Sequence, residues 1–221
     1  MKVWKFLEAD RRLGYGDGRL VTVGKTLTVQ GEVRLCERGI HGSVVARDAL
    51  WYAPGSVVVR GDAGGMIDTG IDNLACAEFI PLAIVDAAET LRHFARLCAL
   101  DVAHLWSPAP DTVRFLRTGD PTLRQAAFRD ASSAAWAART EEAVQAAART
   151  AAQAAVHAAA WAAAATAMAA GAAQAAAMAA GAAAACQAKA IAQARAEIKG
   201  KQARRLERML RELIRQETKQ T

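Results

Sequence analysis

The residues able to carry chemistry are few and far apart. Cysteines stand at 36, 76, 98 and 186, with no CxxC pair and no histidine at zinc-ligand spacing beside them. Their spacing reads as free, buried thiols of a reducing cytoplasm, and the opening ten residues lack an apolar core of signal-peptide length. His93 and His104 lie about three helical turns apart, too far to share one metal ion. Gly14-Tyr15-Gly16-Asp17-Gly18 has the glycines of a phosphate cradle. No Lys-Ser/Thr follows it, however, and the next segment reads as strand rather than helix, so a turn is expected. These patterns predict neither a metal nor a cofactor.

One segment is denser: Cys36-Glu37-Arg38-Gly39-Ile40-His41-Gly42-Ser43, followed by Ala49-Leu50-Trp51-Tyr52-Ala53-Pro54-Gly55. Read from its residues alone, His41 ends a strand, Ser43 caps a helix and Tyr52 packs on a core. The segment resembles the N-terminal module of a group of phage and prophage proteins. Those carry C-x-x-G-hydrophobic-H-x-S, a short helix ending in Tyr-Ala, and a following strand. In that group an alanine- and tryptophan-rich helical region comes next and ends in a basic stretch similar to the one here at 202–210. The resemblance spans nearly the whole chain and implies a phage source, without an activity.

The same segment is also similar to ADP-ribosyltransferases, in which a His-x-Ser/Thr strand, a helix with alanine and tyrosine, and a Val-x-Val strand line a nicotinamide pocket. That likeness implies that His41 and Ser43 contact NAD, that Tyr52 stacks on the nicotinamide, and that a glutamate such as Glu78 polarises the ribose. Oxocarbenium-like chemistry needs such a carboxylate and an aromatic wall.

The elements that must position these residues come in two kinds. Residues 1 to about 85 read as mostly β, with short strands at 20–23, 26–29, 56–59 and 79–84. Glycine-rich turns at 14–18, 61–65 and 68–70 separate them, and a short helix from about 44 to 53 stops at Pro54-Gly55. A helix then starts at Asp86, which caps it with Glu89 at the third position, and carries a core stripe of Leu91, Phe94, Ala95, Cys98 and Val102. Residues 107–110 break it, Asp111 caps a short helix ended by Gly119, and Asp120-Pro121 opens the next.

Hydrophobic residues make up 53% of the chain but aromatics only 5%, because alanine supplies most of the apolar count: 39 of the 66 residues from 131 to 196. From 150 to 188 there is no Asp, Glu, Lys or Arg. A helix apolar all round wants burial all round, in protein or in lipid. Protein burial is favoured, because alanine is near neutral for membrane insertion, Leu, Ile, Val and Phe are almost absent, and no aromatic belt flanks the run. Trp136, Val144, Val156, Trp161, Met168, Gly171, Met178 and Gly181 are the candidate self-association residues.

The net charge of +6 resides in residues 189–221, where ten Lys or Arg meet four Glu, and the first 188 residues balance to zero. Leu206, Met209, Leu210 and Leu213 form a stripe for a partner helix, while Arg204, Arg205, Arg208, Arg211 and Arg215 are candidate phosphate contacts. The interspersed glutamates dilute the field, which favours helix pairing.

Together these features predict an α+β chain. A small mainly-β head module (1–106) and a linker with a short helix (107–120) would precede long alanine-rich helices (121–221) arranged as a bundle, hairpin or coiled-coil-like stalk. The expected function is that of a non-enzymatic phage-type structural or assembly protein, a homo-oligomer in the host cytoplasm or in a virion. Other phage proteins, and nucleic acid through the tail, are its candidate partners. The alternatives are an ADP-ribosyltransferase-like enzyme or inactive relative, and a helical membrane-inserted protein.

Overall fold

In Lys2-Val-Trp-Lys-Phe-Leu7, alternate residues face opposite sides of one strand, β1 (Lys2–Leu7). Both sides are buried: Val3 and Leu7 on one, Trp4 and Phe6 on the other. A computed structural model of the chain describes residues 1–101, 103, 108–133 and 192–220. β2 (Leu27–Thr28), β3 (Ile40–Gly42), β4 (Val57–Thr69) and β5 (Leu74–Asp86) complete a five-stranded sheet in which every pairing is antiparallel. β4 and β5 form a long hairpin, with β1 on the far edge of β4 and both β2 and β3 on the far edge of β5. Trp4 and Ser43 then exchange two backbone hydrogen bonds, so the circuit β1–β4–β5–β3 closes back on β1.

Closing so few strands requires bending, and β4 bends at two register shifts, Arg60/Gly61 and Gly64/Ile67. Gly61 is needed at the first, since a Cβ there would collide with the Phe79 ring and lie 2.8 Å from the Ile80 carbonyl oxygen. The glycines expected to form a turn at 61–65 therefore sit inside a 13-residue strand, where they mark bulges. The expected strand at 20–23 is reduced to a single bridge between Arg12 and Leu20, and that at 26–29 to β2, because Gly18, Gly24 and Gly31 turn the chain at positive φ. The inside of the circuit holds Val3, Leu7, Ile40, Val59, Cys76 and Phe79, with Leu13 and Val21 from the loop after β1 and Leu27 of β2. Outside it, α1 (Ala46–Ala49) continues as a 3-10 turn (Leu50–Tyr52) and packs on β1.

α2 (Ala88–Asp101) starts where Asp86 accepts the Ala88 N–H at 2.9 Å, and it buries Leu91, Phe94, Ala95 and Cys98. Val102 lies outside the described residues. α3 (Pro110–Thr118) is capped by Ala109, not by Asp111 as expected. The Ala109 N–H and the Thr112 hydroxyl both donate to Asp130, at 2.9 and 2.6 Å. Gly119 ends α3 at φ 74°, and Asp120 accepts the Thr122 N–H at 2.9 Å to start the next turn and the helix α4 over 124–133.

The expectation of long alanine-rich helices forming a stalk or bundle is corrected. The described fold is a mixed α+β structure in which a closed antiparallel sheet is accompanied by mostly short helices. Its long helix, α5 (Ala192–Gln220), follows the alanine-rich run. Residues Ala203–Thr221 belong to the same compact unit as Met1–Thr90, and Leu91–Gln202 form the second unit. The compact units thus part at 90/91 and 202/203. The cause is the leucine stripe. Leu206 and Leu210 are fully buried, since a leucine side chain gains far more from leaving water than alanine does.

Candidate functional site

Strand β3 is the hub of the polar groups in the first unit. His41 pairs with Ala75 of β5, and its backbone carbonyl accepts a hydrogen bond from Lys5 Nζ at 2.9 Å. Its ring accepts the Cys36 backbone N–H at Nε2, 3.0 Å away, which places the proton of the neutral imidazole on Nδ1. Burial, and next the Lys5 charge, hold the His41 pKa below its ordinary value, against an opposing backbone hydrogen bond with Gly39. The ring is therefore neutral near pH 7 and staples the Arg34–Arg38 loop, in which Cys36 stands at φ 65°.

Tyr52 is half-exposed and donates to Asp72 Oδ1 at 2.7 Å. That hydrogen bond, with a smaller contribution from burial, pushes the phenol up to about 12. Trp51 and Ile71 beside this pair are also exposed, so Tyr52 lies in a surface patch and not in a core. Cys36, whose backbone N–H holds the His41 ring, adds only a minor charge effect to the Tyr52 shift.

Ser43 is buried by its backbone pairing with Trp4, and its hydroxyl caps no helix: the N-cap of α1 is Val45. Glu78 is exposed on β5, opposite Thr28 and Gly64. It stands three residues beyond Ala75, the partner of His41, or roughly 10 Å along the strand. The structure thus brings His41 and Tyr52 to one end of the sheet around Cys36, and places Glu78 elsewhere on β5.

Sequence reasoning missed Lys5, although the signal was present as a lysine alternating with Val3 and Leu7 on the inward side of β1. Burial lowers its pKa to about 8, with Cys76 and Asp17 opposing the shift. The Cys76 thiol donates to the Ile40 carbonyl at 3.2 Å and is pushed up to about 11 by burial. Asp17 sits in the Gly14–Gly18 turn, held below the usual carboxylate range chiefly by the Arg19 guanidinium, which grips both its oxygens at 2.7 Å. An amine with a pKa near neutrality has the chemistry of a base or a carbonyl nucleophile, yet here its hydrogen bond to His41 ties β1 to β3. On the opposite side of β1, the Arg60 guanidinium lies 4.5 Å over the Trp4 ring.

On α5, Leu206 and Leu210 are buried, and Met209 and Leu213 are half-buried. Arg204, Arg208, Arg211 and Arg215 are exposed, whereas Arg205 is half-buried. Arg60 of β4 senses the charges of both Arg211 and Glu207, which places this helix beside that strand. The candidate self-association residues Trp136, Val144, Val156, Trp161, Met168, Gly171, Met178 and Gly181 lie outside the described residues. Among the described residues there is no group of three metal-ligating side chains, and no helix is long and apolar enough to cross a membrane. Compared with protein-family models, with curated proteins and with solved structures, the chain matches none.

Proposed function

We propose that the chain is a non-enzymatic, phage-type assembly protein that self-associates through its alanine-rich segment. The observation that carries this reading is the stretch from 150 to 188, which has no charged side chain. Such a surface gains little from water. Its small side chains let backbones approach closely, so that many weak dispersion contacts of about 0.1–0.2 kcal/mol each add up across an interface. The fold supports the reading in two ways. α5 uses Leu206 and Leu210 inside its own compact unit, so that leucine stripe is taken up within the chain and is not the surface offered to another copy. His41 and Ser43 are engaged in holding a loop and closing the sheet, roles that a structural module needs and a nucleotide pocket does not. The phage assignment rests on the resemblance of the 36–55 segment and the basic tail. The test is sedimentation velocity on the full chain and on a Met168→Glu/Met178→Glu variant. The variant, with charge placed in the uncharged run, is expected to sediment as a smaller species than the parent. Identical sedimentation of two oligomers would remove this segment from the interface.

A further inference from the structure

The exposed cations of α5 are not scattered. Lys201, Arg204, Arg208, Arg211 and Arg215 are all exposed, and they recur at spacings of three and four residues. At 3.6 residues per turn they fall within an arc of about 80°, on the side opposite the buried Gln202, Leu206 and Leu210. The stripe runs for roughly 21 Å along the helix at 1.5 Å per residue. Docking through Leu206 and Leu210 therefore fixes which face of α5 meets solvent, and that face is a rigid, linear row of positive charge.

We infer that this row binds the phosphate backbone of duplex nucleic acid without regard to sequence. A line of evenly spaced cations fits a linear polymer of evenly spaced anions, and roughly 21 Å covers about six base steps of 3.4 Å. Four of the five cations are arginines, whose planar forks hold phosphate oxygens bidentately. An anionic membrane fits less well. A basic amphipathic helix binds lipid by burying its apolar face in the headgroup layer, and here Leu206 and Leu210 of that face are already buried in the protein. The glutamates lie at the borders of the stripe. Glu207 pairs with Arg211 at 2.6 Å and Glu212 with Arg215 at 3.4 Å, and such exposed pairs at i, i+4 and i, i+3 are weak enough for a phosphate to displace.

The experiment is fluorescence anisotropy of a labelled random-sequence 20-base-pair duplex (an arbitrary probe length, about three times the stripe) titrated with the full-length protein at about 50 and 200 mM salt. Three to five phosphate contacts predict an affinity loss of roughly 1.5 to 3 decades between those concentrations. Arg204→Gln/Arg208→Gln is expected to weaken binding and lower the slope of log affinity against log salt by about two. Arg204→Lys/Arg208→Lys keeps the charge and is expected to keep most of the slope, with circular dichroism confirming that each variant stays helical. Absence of binding at the lower salt, binding indifferent to salt, or a slope unchanged in the glutamine variant overturns the proposal. Capture by phosphatidylserine vesicles with no capture of the duplex overturns it in favour of a membrane surface.

Discussion

The Lys5 ammonium, on the inner side of β1, donates to the backbone carbonyl of His41 at 2.9 Å. A cation in that position costs solvation, and burial brings its pKa from 10.5 down to about 8. The unfolded chain therefore binds more protons than the folded one between about pH 8 and 10.5, and stability rises with pH across that window. Lys5 alone contributes a gain on the order of 2 kcal/mol from pH 8 to 10, which the Cys76 thiol, raised by burial from 9.0 to about 11, partly offsets in a denaturant titration of the parent protein. Lys5→Met should flatten that rise, and an unchanged slope in the variant would place the pH dependence in another group.

Tyr52 and Tyr15 are the two tyrosines of the chain, so a Tyr15→Phe background isolates the Tyr52 phenol. Its ionisation, followed by ultraviolet absorbance, is expected near pH 12. Asp72→Asn removes the carboxylate that accepts the Tyr52 hydroxyl and should bring the midpoint back toward 10. Because the folded pKa is the raised one, Tyr52 makes the protein less stable as pH climbs through the 10–12 interval, opposite in sign to Lys5.

Cys36 is exposed, whereas Cys76 and Cys98 are buried, and burial raises the Cys76 thiol to about 11. In a Cys186→Ser background, one equivalent of thiol reagent is expected to react quickly in the native state. Cys36→Ser should abolish that phase, leaving the two buried thiols to react only on denaturation.

Gly61→Ala forces a Cβ into the Phe79 ring and the Ile80 backbone at the first bulge of β4. Overpacking of this kind is expected to destabilise by roughly 1–3 kcal/mol. Pairing with Phe79→Leu should recover part of the loss, because the ring is then gone and only the backbone contact remains. Denaturation midpoints for the two single variants and the double variant measure both effects.

Local signals were legible where a residue acts on its immediate neighbours. Asp86 and Asp120 as caps, Gly119 as a left-handed stop, and the buried stripe Leu91, Phe94, Ala95 and Cys98 could all be read directly. The glycines at 61–65 misled because a glycine in a strand marks a bulge as readily as a turn, and only the Phe79 ring above Gly61 separates the two cases. Lys5 was passed over because an inward lysine breaks the apolar alternation that identifies a strand. The stripe Leu206, Met209, Leu210 and Leu213 was visible, but its partner was not. Periodicity says that a face is buried and leaves unsaid that residues 203–221 share their compact unit with residues 1–90, more than 110 residues earlier in the chain.

The central claim is that the alanine-rich segment joins copies of this chain, and the mass of the native protein in solution tests it most directly. Sedimentation equilibrium of the full-length protein at micromolar concentration is expected to give a species at a whole-number multiple, two or greater, of the 23.3 kDa chain mass. A single, well-behaved species at 23.3 kDa across that range would contradict it.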